Sequence, residues 1–159
     1  MDYCPNAEDP VQIGIIGAGS CDEATARKAE TVGRLIARRG AVLVSGGMGG
    51  VMEAASRGAA AEGGIAVGIL PVADPEGGNP HLTVRIATGF GQGRNALIPQ
   101  SCRGVIAVAG GYGTLSEIAL ARKAGVPLVG IDTWDPDGSF PVVADPEEAV
   151  ELLWKRMGE

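Results

Sequence analysis

The sequence has few aromatic residues: Phe 2, Trp 2 and Tyr 2 in a chain of 159. So few flat faces give little surface on which nucleic-acid bases could stack. Lys+Arg 13 against Asp+Glu 19 leaves a net charge of −6, so no net positive field draws in a polyanion. Histidine occurs once, as His81 in a Pro-rich loop, and no serine has a GxSxG setting, which leaves a Ser-His-Asp mechanism unsupported. Lys28, Lys123 and Lys155 fall on predicted helices away from strand ends, so a pyridoxal Schiff base has no evident attachment point. Cys4, Cys21 and Cys102 are odd in number and form no CxxC, so neither a disulfide framework nor a zinc site is indicated, and no other metal site is expected. Cys21 falls near a predicted helix N-terminus, where a thiolate is favoured, and its plainer reading is a small structural residue. The N-terminal MDYCPNAEDP has neither a basic n-region nor an apolar h-region, and no membrane-length apolar run follows. The expectation is a cytoplasmic protein.

What is present is an ordinary globular balance, 45% hydrophobic and 20% charged, in a 16.1 kDa chain of single-domain size. We expect one domain over 1–159, with 1–10 as a flexible tail. Glycine is the abundant residue: Gly 26, with Pro 10, clustered at the ends of apolar runs. Apolar runs of strand length (11–17, 41–45, 64–70, 83–87, 104–109, 127–131) alternate with helical patterns. The helical patterns start from a Ser20–Glu23 capping box and run to Gly40, then cover 51–61, a short stretch 94–102 containing Pro99, 115–124 and 146–157. Such alternation predicts an α/β, Rossmann-like fold, a mostly parallel sheet with helices on both faces. The twelve residues PVADPEGGNPHL could carry a parallel crossover without a helix.

VLVSGGMGGVMEAA (42–55) aligns without gaps on IAVAGGYGTLSEIA (106–119), so one strand, glycine turn and helix is built twice. A glycine turn between a strand and a helix N-terminus exposes backbone N–H groups in the positive end of the helix dipole with no Cβ in the way, which suits a phosphate. Three turns have this form: GAGS with Gly17, Gly19 and Ser20; SGGMGG with Gly46, Gly47 and Gly49; and AGGYGT with Gly110, Gly111, Tyr112, Gly113 and Thr114. All three are expected at one sheet edge, where open α/β sheets bind ligands. A tight turn with no ligand is the alternative for each. GAGSCD lacks the third glycine of GxGxxG and no GxxxxGK[ST] occurs, so neither a dinucleotide fingerprint nor a P-loop is supported.

Glu117 lies one turn beyond GGYGT, where its carboxylate could face the sugar of a bound phosphate ester, or could close a capping box with Thr114. Glu53 has the equivalent place in the first repeat, with Gly50 in place of threonine. Arg94, in TGFGQGRN, is expected beside GGYGT if the fourth and fifth strands pair, where its guanidinium could hold a phosphate or ribose; otherwise it is a surface arginine.

Together SGGMGGVMEAASRGA, IAVGILP, TGFGQGRNALIPQSC and AVAGGYGTLSEIALARKAGVPLVGI resemble the Lonely guy (LOG), lysine decarboxylase-like superfamily over residues 11–131. The resemblance implies a Rossmann-like homodimer or higher homo-oligomer. It also implies a phosphoribohydrolase that releases the base from a nucleoside 5′-monophosphate, with the phosphate on a PGGxGTxxE motif. By position Gly110, Gly111, Gly113 and Thr114 match the phosphate loop, Glu117 the catalytic glutamate, and Arg94 the catalytic arginine of an ERK-containing motif. Ala109 stands in place of the proline, and GQGRN lacks the glutamate and lysine of the longer motif. In this the chain looks closer to the small bacterial branch that includes molybdenum cofactor carrier proteins, which bind a phosphorylated pterin without known catalysis. Two functions therefore stand side by side: hydrolysis through Arg94 and Glu117, or carriage of a phosphorylated cofactor by the same cradle. The ligands implied are phosphate, a nucleotide or a phosphorylated pterin, and no further cofactor is required. A third class, DNA-processing relatives with this core, is weakened by the −6 charge.

Overall fold

The computed structural model describes residues 9–158, so most of the expected N-terminal tail lies outside the described residues. Seven strands form one all-parallel sheet: β1 (Gln12–Gly17), β2 (Val42–Ser45), β3 (Ala66–Leu70), β4 (Val84–Ala87), β5 (Gly104–Val108), β6 (Leu128–Ile131) and β7 (Val142–Val143). Their spatial order is β4-β3-β2-β1-β5-β6-β7. The chain winds outward from β1 to β4, returns to β1's other side, and winds outward again. The α/β Rossmann-like expectation holds, and β1/β5 is the point where the order reverses.

The helices are α1 (Glu23–Arg38), α2 (Val51–Ala61), α3 (Leu97–Gln100), α4 (Tyr112–Ala124) and α5 (Pro146–Met157). Alternation along the central strand divides the core: Ile13 and Ile15 face a layer with Ala29, Val32 and Ile36 of α1, Ala55 of α2 and Leu153 of α5. Ile16 faces the opposite layer with Ile98 of α3 and Ile118 of α4. Strands buried on both faces read as continuous apolar runs, as a parallel sheet requires.

The structure departs from the sequence pattern in several places. The first helix is capped by Asp22, whose carboxylate accepts from the Thr25 N–H at 2.8 Å; Ser20 lies outside the helix, so the Ser20–Glu23 capping box does not form. The stretch 94–102 divides into a 3-10 segment (Gly91–Ala96) and the single turn α3, with Pro99 inside it. Residues 142–143 form a seventh strand too short to show a period. The small residues of AASRGAAAEGG pack within the chain. A Cβ on Gly33 would collide with the Ala55 carbonyl, and one on Gly58 with that of Glu30, so α1 and α2 touch backbone to backbone. Arg34 and Arg57 bridge to Glu30, and Arg34 and Arg38 to Glu62, around that contact.

The crossover from β3 to β4 is parallel, as the twelve-residue loop predicted, and holds no α-helix, only a 3-10 turn at Pro75–Gly77. Asn79 anchors it: its N–H donates to the Gly47 carbonyl (2.8 Å) and its side-chain amide to that of Met48 (3.1 Å). The loop thereby braces the second glycine turn.

Candidate functional site

GAGS and AGGYGT emerge from β1 and β5, the two strands flanking the reversal, and SGGMGG from β2 on β1's other side. All three open at the carboxyl edge of the sheet. The turns are stitched together, since the Val51 N–H at the start of α2 donates to the Ala18 carbonyl at 3.0 Å. Between them lies a cleft of about 540 Å³, lined by Gly17, Gly19, Gly111, Gly113 and Thr114, and by the side chains of Arg94, Glu117, Met48, Met52 and Pro71. That volume suits a small organic ligand.

The glycines of the two repeats differ in what surrounds them. A Cβ on Gly46 would run into the Arg94 guanidinium, and one on Gly47 into Leu70. By contrast a Cβ on Gly111 or Gly113 meets nothing within 4 Å. Gly46 and Gly47 are thus glycine because the chain itself fills the space, and so is Gly110, whose Cβ would meet Thr114, whereas at Gly111 and Gly113 the space is open. The first backbone bond of α4 runs from the Leu115 N–H to the Gly111 carbonyl at 3.0 Å, so the N–H groups of Tyr112, Gly113 and Thr114 precede any intrahelical acceptor.

Strand β4 pairs with β3 alone, at the sheet edge, so the condition under which Arg94 was expected beside GGYGT, a pairing of the fourth and fifth strands, is not met. Arg94 still reaches the cleft, because the chain after β4 folds back along the end of β3. There Thr88 Oγ1 donates to the Leu70 carbonyl (2.6 Å) and the Gly91 N–H to that of Pro71 (2.9 Å). Arg94 Nη1 donates to the Ile69 carbonyl at 3.0 Å, the residue is only 8% exposed, and its Nε has no hydrogen-bond partner. Burial pulls its guanidinium below the ordinary arginine value, offset in part by Glu117.

Helix α4 begins at Tyr112 with Gly111 as its cap and no side-chain cap bond, so Thr114 is already inside the helix and the Thr114–Glu117 capping box does not form. Three glycines let the helix start one turn early, and residues three apart then share a face. Both are buried, Glu117 to 7% exposure. Loss of water pushes the Glu117 carboxyl up to about 7, with Arg94 pulling the other way. A carboxyl so poised can be a proton donor or an anion near neutrality.

A family model described as the SLOG cluster4 family matches residues 10–152. The chain belongs to this family. An uncharacterised protein of Archaeoglobus fulgidus is 48% identical to this SLOG protein over 140 residues, 88% of this chain and 92% of that one. The molybdenum cofactor binding protein from the phototrophic bacterium Rippkaea orientalis is 33% identical with a TM-score of 0.88, covering 94% of this chain and 98% of its own. The molybdenum cofactor carrier protein from Chlamydomonas reinhardtii is 30% identical with a TM-score of 0.83, covering 95% and 100%. The fold and the family resemblance read from the motifs, near the carrier branch, are therefore both shown.

Within the SLOG chain the remaining candidates are dispersed. Ser20 is exposed outside the cleft, and Glu53 is half-buried on α2 beside Gly49 and does not line the cleft. Gly110 lines a smaller hollow of about 260 Å³ on the other side of the glycine loop, with Asp132, Thr133 and Trp134. Tyr112 is 82% exposed and its ring lies 5.7 Å from that of Trp134, tilted by 32°. Met48 in the second glycine turn, Met52 on α2, and Asn95, bonded to Ser116 Oγ at 3.3 Å, line the cleft without having been singled out in the sequence. Their only signal was membership of the glycine-rich stretches. Among the described residues no helix is long and apolar enough to cross a membrane, and no cluster of His, Cys, Asp or Glu could hold a metal ion.

Proposed function

We propose that this SLOG protein binds and carries a small phosphorylated ligand of the phosphopterin or nucleotide class, its phosphate on the N-terminus of α4. The observation that carries the reading is the pairing of an open glycine turn with a buried Arg94 that lines the same cleft. A desolvated guanidinium is costly unless an anion balances it, and a phosphate held by unpaired N–H groups is such an anion. Met48, Met52 and Pro71 supply an apolar, adaptable wall for a planar heterocycle. The Rippkaea and Chlamydomonas relatives, a molybdenum cofactor binding protein and a molybdenum cofactor carrier, support the carrier reading for this chain.

Hydrolysis of a nucleoside 5′-monophosphate is the second reading, favoured by Glu117 and Arg94 lining one cleft. In it the phosphate cradle fixes the ester, and ionised Glu117 stabilises positive charge at the ribosyl carbon and orients water as the base departs. The resemblance also makes a homodimer part of the proposal, to be checked by sedimentation over a range of concentrations.

Native mass spectrometry of the purified protein, followed by a base-release assay across nucleoside monophosphates, tests both readings. Retention of a phosphorylated ligand without base release supports the carrier. Base release that Glu117→Gln abolishes while leaving phosphate affinity intact supports the hydrolase. A protein that retains no such ligand and binds neither phosphate nor any monophosphate refutes both.

A further inference from the structure

The hydrogen bonds on the far side of the glycine loop come from two residues outside the family motifs. Thr133 Oγ1 donates to the Ala109 carbonyl, and Trp134 Nε1 donates to the carbonyls of Gly110 (3.1 Å) and Gly111 (3.0 Å). Three successive carbonyls are thus drawn toward residues 133–134, the segment that follows β6. In a trans peptide the N–H points opposite to the carbonyl of the same plane. The N–H groups of Gly110, Gly111 and Tyr112 therefore face away from Thr133 and Trp134, and it is on the other side that Gly111 and Gly113 line the cleft. The backbone at this point would not settle there unaided. Ala109 takes φ 47 and its neighbour across the sheet, Asp132, takes φ 48, a left-handed conformation uncommon for residues with a Cβ. Asp132 is held in turn by Lys28 Nζ at 2.6 Å, and the Trp134 ring is braced by Tyr112.

We infer that Thr133 and Trp134 are positioning residues that orient the peptide planes of 109–112 so that their N–H groups form the anion cradle. The inference rests on the phosphate-binding reading above. Without the two donors the Ala109–Gly110 and Gly110–Gly111 planes are free to turn their carbonyls, with the opposite partial charge, toward the ligand, while the Gly111 carbonyl keeps its bond from the Leu115 N–H.

The test is a titration of the full chain with inorganic phosphate, read by the amide signals of Gly110, Gly111 and Tyr112 in ¹⁵N–¹H spectra. Thr133→Val keeps the shape and loses the hydroxyl; Thr133→Ser keeps the hydroxyl and loses the methyl group, which packs against Gly130. Trp134→Phe keeps the ring beside Tyr112 and loses the N–H. The expected result is phosphate affinity weakened about three- to tenfold in Thr133→Val and in Trp134→Phe, with Thr133→Ser close to the wild type. Affinity in both weakened variants equal to the wild type's, or Thr133→Ser binding worse than Thr133→Val, overturns the inference and leaves the binding reading intact. If the wild-type loop amides do not respond to phosphate, the binding reading itself falls and takes the inference with it. Should Trp134→Phe fail to fold, the Val and Ser pair decides alone.

Discussion

The Arg94 guanidinium occupies the place where a side chain on Gly46 would begin. Two segments nearly fifty residues apart in sequence thus share one pocket wall, and the absence of a Cβ on one sets the position of the charge on the other. Gly46→Ala should displace Arg94 from the Ile69 carbonyl and press on Met52 Sδ, 2.7 Å from the new atom. Overpacking of this kind costs about 1 to 3 kcal/mol. We expect a folded protein with lower Tm and phosphate binding weakened at least about tenfold. Calorimetry of both properties checks this, and unaltered affinity would mean that Arg94 does not serve the ligand.

Arg94→Met should separate stability from binding. It removes a buried charge with an unpartnered Nε but leaves the Ile69 carbonyl without its donor. The two effects oppose, so ligand-free stability should change by no more than about 1 kcal/mol. Phosphate affinity should fall at least about tenfold in the same protein. Denaturant melts alongside phosphate titration provide the measurement; a variant that binds as well as the parent counts against the proposed ligand.

Gly113→Ala should make the protein more stable and less able to bind. No atom lies within 4 Å of the added methyl, and alanine is favoured over glycine in a helix by roughly 1 kcal/mol. The same methyl stands in the open space above the loop, so anion affinity should drop while Tm rises. A rise in Tm with undiminished phosphate affinity would place the anion elsewhere.

Glu117 makes stability depend on pH in the direction opposite to most paired carboxylates. Its folded value of about 7 lies above the ordinary 4.5, so between those values the native state holds a proton that the unfolded chain has released. Its contribution is therefore complete below about pH 4.5 and is lost as pH rises through 7, by about 3 kcal/mol in all. Glu117→Gln does not titrate. Its Tm relative to the wild type should climb between pH 5 and pH 8, and parallel profiles would show that the carboxyl is not held in a dry site.

At the first helix, Asp22→Ala should cost about 1 kcal/mol through loss of the bond to the Thr25 N–H, while Ser20→Ala should cost nothing measurable. Equal effects in urea melts would reinstate Ser20 as a cap.

Strands and long helices were legible because each carries many residues of one period: the runs around Ile13–Ile16 and Val105–Val108 are buried on both faces, and Val32 and Ile36 mark one side of α1. What was not legible depends on single atoms or on distant partners. The choice of Asp22 over Ser20 turns on where the backbone first becomes helical. Local reasoning put Arg94 beside GGYGT only if β4 paired with β5, which it does not, and the residue reaches the cleft through bonds to Leu70 and Pro71 that no local pattern encodes. Thr133 and Trp134 lie in a loop of no period, and their role depends on which carbonyls face them.

The left-handed turn at Ala109 also bears on how such loops diverge over evolutionary time. Proline fixes φ near −65° and has no N–H, whereas Ala109 stands at φ 47 and donates to the Ile131 carbonyl at 2.9 Å. Proline, the residue that opens the phosphate motif in the Lonely guy enzymes, is thus incompatible with this backbone. Passage between the two loop sequences requires a change in the path of the chain, with its carbonyl partners, and no single exchange of side chain accomplishes it.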